Sequence, residues 1–334
     1  PPLAGGAGGA GGAPGGLPLP APGGPAPGVG AALIAAVAAA GGGGPPGGGP
    51  PSLLAAARRW RAQGVVAMLL SGLAPGALAE GPCIALNGNP IQGGVLWGVA
   101  SPSAKISFAG LSVPVMPDGS FLLGLGRDMP PNNQLEITQA SHCAQTVVVA
   151  QRNYSLQTVT GVPQQTVTPS EEHLERISNE RAKVRRAKSR RLARSDGLRA
   201  LQNGFSWPVT GRISGVYGSQ RIYNGTPGTP HYGVDVAQPT GTPVMAPASG
   251  EVTLAEPDLF YSGGTVILDH GYGLSSSFLH LSEVSVSVGD QLQSGDLIGE
   301  IGATGRATGP HLDWRMSWFN QRIDPQLLVP PMPD

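Results

Sequence analysis

The sequence predicts a mainly β protein: an antiparallel β-sheet domain towards the C-terminus, preceded by a small β-sandwich and a basic helical linker. Three observations predict it. Over 205–330, short β-branched and aromatic runs (252–254, 265–268, 274–280, 297–301, 312–318) alternate with Gly-containing turns. Over 80–165 a second set of short strands recurs with frequent turns, the pattern of a small sandwich. Between them, 168–201 switches to a helical period and is dense in Arg and Lys. With 334 residues the expectation is two domains plus unstructured additions.

Residues 1–51 are almost wholly Gly, Ala and Pro, which hold much of the 52 Gly and 34 Pro of the chain. Such a segment buries too little apolar surface to offset its ordering entropy. It reads as a disordered linker or as sequence upstream of the true start, and the second reading is preferred. Residues 56–79 follow the plan of a signal peptide: Arg58-Arg59-Trp60-Arg61, a short apolar run over 65–73, then Ala77-Leu78-Ala79. The run is too short to span a bilayer, and Glu80-Gly81-Pro82 before Cys83 is no lipidation signal. The expectation is an exported, soluble, periplasmic protein starting near Glu80, not an integral membrane protein. Cys83 and Cys143 are the two cysteines, and export makes one disulfide the expected state.

In the first domain, 105–108 alternates. A run over 111–115 leads through Pro117-Asp118-Gly119 to 121–123, which reads as a hairpin. Residues 135–138, 146–150 and 154–159 add three strands, with His142 expected in a surface loop. The domain holds no dense cluster of titratable groups, so placement, binding or plain spacing is its expected role. Thr168-Pro169-Ser170-Glu171 has the form of a capping box with Pro at the first helical position. The helix should run to about Arg191 and end by Gly197 or Gly204. Leu174, Ile177 and Val184 give it a weak apolar face, and His173 is expected in solvent. Its basic part, 181–194, reads as a surface for an anionic wall polymer or membrane, or as a solvated linker, which is preferred. Zero net charge and the export signal argue against nucleic acid.

The chemistry-bearing residues gather in the C-terminal domain. His231-Tyr232-Gly233-Val234-Asp235 opens the set, Phe278-Leu279-His280-Leu281-Ser282 continues it, and Gly309-Pro310-His311-Leu312-Asp313 closes it. His311 and Asp313 share a face if the segment is a strand. Imidazole and carboxylate are zinc ligands, and a hydrolytic site uses three of them plus an open position. There is no helical H-E-x-x-H motif and no nucleophile elbow. His270, in Asp269-His270-Gly271, reads as structural or supporting.

With these motifs, and with Gly215-Val216-Tyr217-Gly218, Pro239-Thr240-Gly241-Thr242-Pro243-Val244, Ala248-Ser249-Gly250-Glu251-Val252 and Gly302-Ala303-Thr304-Gly305 in order, the segment 205–328 resembles the catalytic domain of the lysostaphin/LytM-type zinc endopeptidases of peptidoglycan. The resemblance implies the duplicated hybrid motif fold, a two-layer sheet with a groove across one face, walled by loops such as 223–229 and 261–264. It implies one Zn2+ per domain held by His231, Asp235 and the residue at 313. There this chain has Asp instead of the family's last His. Asp remains a zinc ligand, and the added charge is expected to favour harder metals and make bound water less acidic. His280 and His311 are implied to lie beside the metal as catalytic groups, with base and stabiliser unassigned. Tyr217 or Tyr223 is a candidate oxyanion donor, and Arg221 and Arg306 are candidates for substrate carboxylates. The expected function is a metal-dependent endopeptidase cutting peptide cross-links in peptidoglycan stem peptides. The alternative is an inactive relative that binds peptidoglycan or activates an amidase.

Overall fold

The computed structural model describes residues 82–159, 171–190, 192–223 and 225–333. The Gly/Ala/Pro segment 1–51, the signal-like segment 56–79 and the Thr168-Pro169-Ser170 helix start lie outside the described residues. Eight strands come first: β1 (Asn87–Gly88), β2 (Val95–Val99), β3 (Lys105–Phe108), β4 (Leu111–Val113), β5 (Ser120–Gly124), β6 (Asn132–Thr138), β7 (His142–Val148) and β8 (Leu156–Val159). Strict exposed–buried alternation along β6 marks a strand with one face on a core. Two antiparallel sheets result, β1-β2-β5 and β4-β3-β6-β7. Leu96, Phe121 and Leu123 of the first share a buried cluster with Ile106, Phe108, Leu135 and Ile137 of the second. Cys83 is bonded to Cys143, with Cα atoms 5.8 Å apart, which ties the start of this module to β7.

Three local expectations are corrected. Pro117-Asp118-Gly119 does form a tight turn, with Gly119 N donating to Met116 O, but its flanking strands join different sheets. The reason is a competing hairpin: Ala109 and Gly110 both have positive φ (48° and 78°), the two-residue turn that best fits strand twist, and it commits β4 to β3. The strand at 156–159 is not part of the first module's sheets; it pairs in parallel with a strand of the second part, Gln220 opposite Leu156. His142 begins β7 rather than lying in a loop, although it is exposed.

The helical region is two helices, α1 (Glu171–Ser189) and α2 (Asp196–Asn203). It is not a solvated linker. Ala187 and Val184 pack on Leu254, Leu259 and Ile267 of the second part, and Ile177 is buried. His173 stacks on Phe260 at 4.8 Å instead of facing solvent. Arg176 pairs with Asp258 at 3.0 Å, Lys183 with Glu256 at 2.9 Å and Arg190 with Glu251 at 3.3 Å. Pairs this exposed contribute about 0–1 kcal/mol each, so the apolar seam does most of the holding. The basic face expected over 181–194 is therefore largely spent on this chain's own sheet; Arg181, Arg185 and Arg186 remain exposed. No described helix is long and apolar enough to cross a membrane.

The second part contributes β9 (Arg212–Gly215), β10 (Gln220–Tyr223), β11 (Thr226–Pro227), β12 (Val234–Ala237), β13 (Pro243–Met245), β14 (Gly250–Leu259), β15 (Gly263–Gly271), β16 (Leu274–Val284), β17 (Gln291–Leu292), β18 (Leu297–Ile301), β19 (Leu312–Trp318) and β20 (Gln321–Ile323). Its main sheet runs β17-β14-β15-β16-β19-β12-β9, with β18 on β13 and β16, and β20 on β19. Strand β19 shows how the sheet is built. Leu312, Trp314, Met316 and Trp318 are all buried in the core, while Asp313, Arg315 and Ser317 occupy the opposite face by alternation. Trp207 closes the entry, its indole N–H donating to Pro330 O at 2.8 Å and its ring edge-on to Trp314. The Arg152–Asp324 pair, 2.7 Å, links the first module to the end of this sheet.

His270 sits fully buried in β15, Nδ1 at 2.8 Å from Ser249 O and Nε2 at 2.8 Å from Ser276 Oγ. Both ring nitrogens have protein partners, which gives it a structural role. Burial lowers its pKa to about 4, while burial pushes its neighbour Asp269 up to about 6.

Two outcomes follow. Replacing Cys83 and Cys143 together by Ser should cost up to about 4 kcal/mol in urea unfolding, the chain-entropy value for a loop of this length. The second concerns pH. The unfolded chain protonates His270 near pH 6.5 and the folded one near 4, so its contribution is complete above pH 6.5 and is lost as pH falls towards 4, about 3 kcal/mol in all. Asp269 acts in the opposite sense over the same window, so the comparison must be with a variant. The stability difference between wild type and His270→Gln should shrink by about that amount from pH 7 to 4; a pH-independent difference would contradict it.

Candidate metal centre

The register of two strands makes the site. Strands β12 and β19 are antiparallel with Asp235 directly opposite Asp313, so both carboxylates rise from the same face. His231 lies just before β12, held by its backbone N–H to Ser219 O and by Gly218 N–H to its carbonyl. Gly233, between them, has to be glycine: a Cβ there would stand 2.6 Å from both Asp313 Oδ1 and Trp314 O.

Ligand atoms of His231, Asp235 and Asp313 lie within 4.8 Å of one another. His231 Nε2 is 3.0 Å from Asp235 Oδ1 and 3.5 Å from Asp313 Oδ1. His231 Nδ1 faces Val216 O at 3.2 Å. A carbonyl only accepts, so Nδ1 carries a proton, and Nε2 faces two carboxylate oxygens that call for either a second proton or a metal ion between them. Both His231 Nε2 and Asp235 Oδ1 are buried without a well-directed hydrogen bond. Burial works against a charged His231, but the two carboxylates outweigh it and push its pKa up to about 10. Burial would likewise raise Asp313, yet Arg315 and His231 hold it well below the usual carboxylate range. Electrostatically, this cluster requires a positive charge at its centre. One imidazole and two carboxylates are a suitable donor set for a divalent ion, and the unsatisfied, mutually repelling atoms fit one.

His280 and His311 flank the cluster. Their rings are 4.9 Å apart, and His311 Nε2 is 3.9 Å from Asp235 Oδ1. Each donates from Nδ1 to a carbonyl, His280 to Thr304 O and His311 to Gly309 O, both at 2.8 Å. Both therefore keep Nε2 as the acceptor. A left-handed backbone at His280 (φ 67°) breaks the alternation that would send it to the core. Burial lowers its pKa, which favours the neutral ring.

Sequence reasoning missed Arg315. Its Nε donates to both oxygens of Asp313 at 2.9 and 3.0 Å, and Nη2 reaches Oδ2 at 2.5 Å. The signal was available in the two-residue spacing that places it on Asp313's face. The other candidates are engaged elsewhere. The Tyr217 hydroxyl is buried and donates to Arg322 O, so it is no oxyanion donor; Tyr223 belongs to β10. Arg221 donates to Gln157 and Arg306 lies over the Tyr261 ring.

Residues 229–325 match the model of peptidase family M23. A peptidoglycan DD-endopeptidase of Vibrio cholerae, ShyA, is 37% identical over 121 residues, 35% of this chain and 28% of its own. The DD-carboxypeptidase/endopeptidase Mpg of Neisseria meningitidis is 38% identical over 104 residues, 31% of this chain and 24% of its own. The matched region thus spans about a quarter of the length of these curated relatives. A solved structure from Pseudomonas aeruginosa assigned to peptidase M23 is 31% identical, with a TM-score of 0.54, and the match covers 72% of this chain and 94% of that one. With that structure matched over nearly its whole length, and with His231, Asp235 and Asp313 inside the matched segment, this chain belongs to peptidase family M23.

Proposed function

We propose that this protein is a metal-dependent endopeptidase that hydrolyses peptide cross-links of bacterial peptidoglycan. The observation that carries the reading is the His231–Asp235–Asp313 cluster, short of one positive charge, with two acceptor imidazoles beside it. The naming of ShyA and Mpg as endopeptidases supports the substrate class. Zinc is the metal we assign, held by His231, Asp235 and Asp313. A divalent ion there supplies a Lewis acid and lowers the pKa of water from about 16 toward 7.

The remaining work falls to this chain's side chains. His280 and His311 keep Nε2 lone pairs beside the cluster, so either can accept a proton from water and return it to the departing amine. Their Nδ1–H bonds to Thr304 O and Gly309 O hold the tautomer that this requires. Arg315 neutralises one carboxylate from behind, which limits the excess negative charge that Asp313 brings in place of His. Each carboxylate oxygen has two lone-pair sites, so Asp313 Oδ1 accepts Arg315 Nε–H and keeps an acceptor site towards His231. The signal-like segment 56–79 supports a reaction outside the cytoplasm, in the periplasm.

Purified sacculi incubated with the full chain should lose cross-links in the presence of zinc and keep them with chelator, read by mass spectrometry. Intact cross-links under both conditions would overturn the proposal. His280→Ala and His311→Ala should each lower turnover about 10²–10⁴-fold with zinc still bound. His231→Ala and Asp313→Ala should instead lower bound zinc, measured by equilibrium dialysis and elemental analysis; undiminished zinc in both would contradict the ligand assignment.

A further inference from the structure

The face of β19 that carries Asp313 continues through Arg315 to Ser317, about 13 Å along the strand at ~3.3 Å per residue. The charge balance changes there. The Lys188 ammonium, from the last turn of α1, donates to Ser317 Oγ at 3.1 Å. The Arg322 guanidinium, from β20, donates to the same oxygen at 3.0 Å and lies 5.7 Å from the Tyr232 ring centre. A hydroxyl oxygen accepts from both cations without neutralising either. Arg315 is the third cation of the patch, and it is already paired with Asp313. Among the described residues, no carboxylate stands within ion-pair distance of Lys188 or Arg322. Desolvation lowers the pKa of both, helped by repulsion from Arg322 and Arg315 on Lys188 and from Arg315 on Arg322.

A second observation comes from the neighbouring strand. Ser277 lies opposite Arg315 and Ser275 opposite Ser317 in the β16–β19 register, so their hydroxyls share this face. Both serines are buried, and Ser277 Oγ has no hydrogen-bond partner. Buried cations are ordinarily paired and buried hydroxyls bonded. Here two partly buried cations that share one hydroxyl acceptor, and a buried hydroxyl without a partner, lie on the face that carries the metal ligands.

We propose that Lys188, Arg322 and Ser277 form a carboxylate-binding subsite for the peptide substrate, continuous with the metal centre through Arg315. This rests on the endopeptidase reading for the identity of the ligand as a peptide. A guanidinium fork and an ammonium converging on Ser317 Oγ, with the Ser277 hydroxyl on the next strand of the same face, suit a small planar anion. The spacing sets which carboxylate: one that lies a few extended residues from the bond cut, at ~3.4 Å each, and not one on the scissile residues. Lys188 comes from α1, so the helix joining the two modules is itself a wall of the substrate site. The other role for Lys188, pinning α1 to the sheet, makes a different prediction.

The test compares a cross-linked muropeptide bearing its free carboxylates with the same muropeptide converted to carboxamides, both titrated calorimetrically into the chelated full chain so that no turnover intervenes. The acid should bind at least about tenfold more tightly, the scale of one desolvated charge pair. The acid-to-amide ratio should collapse in both Lys188→Met and Arg322→Gln. Lys188→Met should also melt no lower than wild type, because it removes a partly buried charge with no carboxylate partner, whereas a pinning role predicts a lower melting temperature with the ratio intact. Equal binding of acid and amide by wild type, or a ratio that survives both substitutions, would overturn the subsite. Selective acid binding without any zinc-dependent cleavage would instead leave the subsite standing and remove the endopeptidase reading.

Discussion

The site depends on a contact that needs a positive charge within it: His231 Nε2 stands 3.0 and 3.5 Å from Asp235 Oδ1 and Asp313 Oδ1. No neutral arrangement of these atoms is stable when buried, so a proton or a metal ion must sit among them. What keeps them together is the sheet. The β12–β19 register sets the two carboxylates opposite each other, Gly233 leaves room for the crossing, and the buried Trp314 and Trp318 on the reverse face hold β19 against the core. The cost of crowding like charges, several kcal/mol for uncompensated buried ions, is met by a core far larger than the site.

The face on which this happens is continuous. Cross-strand partners share a face, so Asp313, Arg315, Ser277 and Ile267 all lie on the side that α1 covers with Ala187 and Val184. The helix is therefore part of the catalytic face's architecture. Of its basic residues, Arg176 and Lys183 pair along β14 and Lys188 reaches β19. Arg315 belongs to the same logic. An Asp in the place of the family's last His adds negative charge, and an Arg two residues on, on the same face, returns it.

Much of this was legible in the residues. The motif text around His231, Asp235, His280, His311 and Asp313 marked the family, and the strand Leu312–Trp318 was readable to its ends because apolar and polar residues alternate along it. What the sequence did not carry were pairings decided by competition. The Ala109-Gly110 turn took β4 from the hairpin expected at Asp118-Gly119. Residues 156–159 look like any exposed strand, and only the open edge of β10 explains where they go. The α1 face looked too weakly apolar to dock, because Ala187 counts for little in a periodicity and the receiving surface, Leu254, Leu259 and Ile267, is remote in sequence. Arg315 was hidden for a related reason: a lone Arg on a strand reads as solvent-facing until its carboxylate neighbour is known to be buried.

Anomalous diffraction at the zinc edge, from crystals of the full chain soaked in zinc chloride, tests the central claim most directly. The account predicts a single strong peak about 2.0–2.2 Å from His231 Nε2 and from one oxygen each of Asp235 and Asp313, with Arg315 still bonded to Asp313 and His280 and His311 beside the ion. A site with no peak, in which His231 remains ion-paired to the two carboxylates, would show that the positive charge it needs is a proton and that this is not a metal centre.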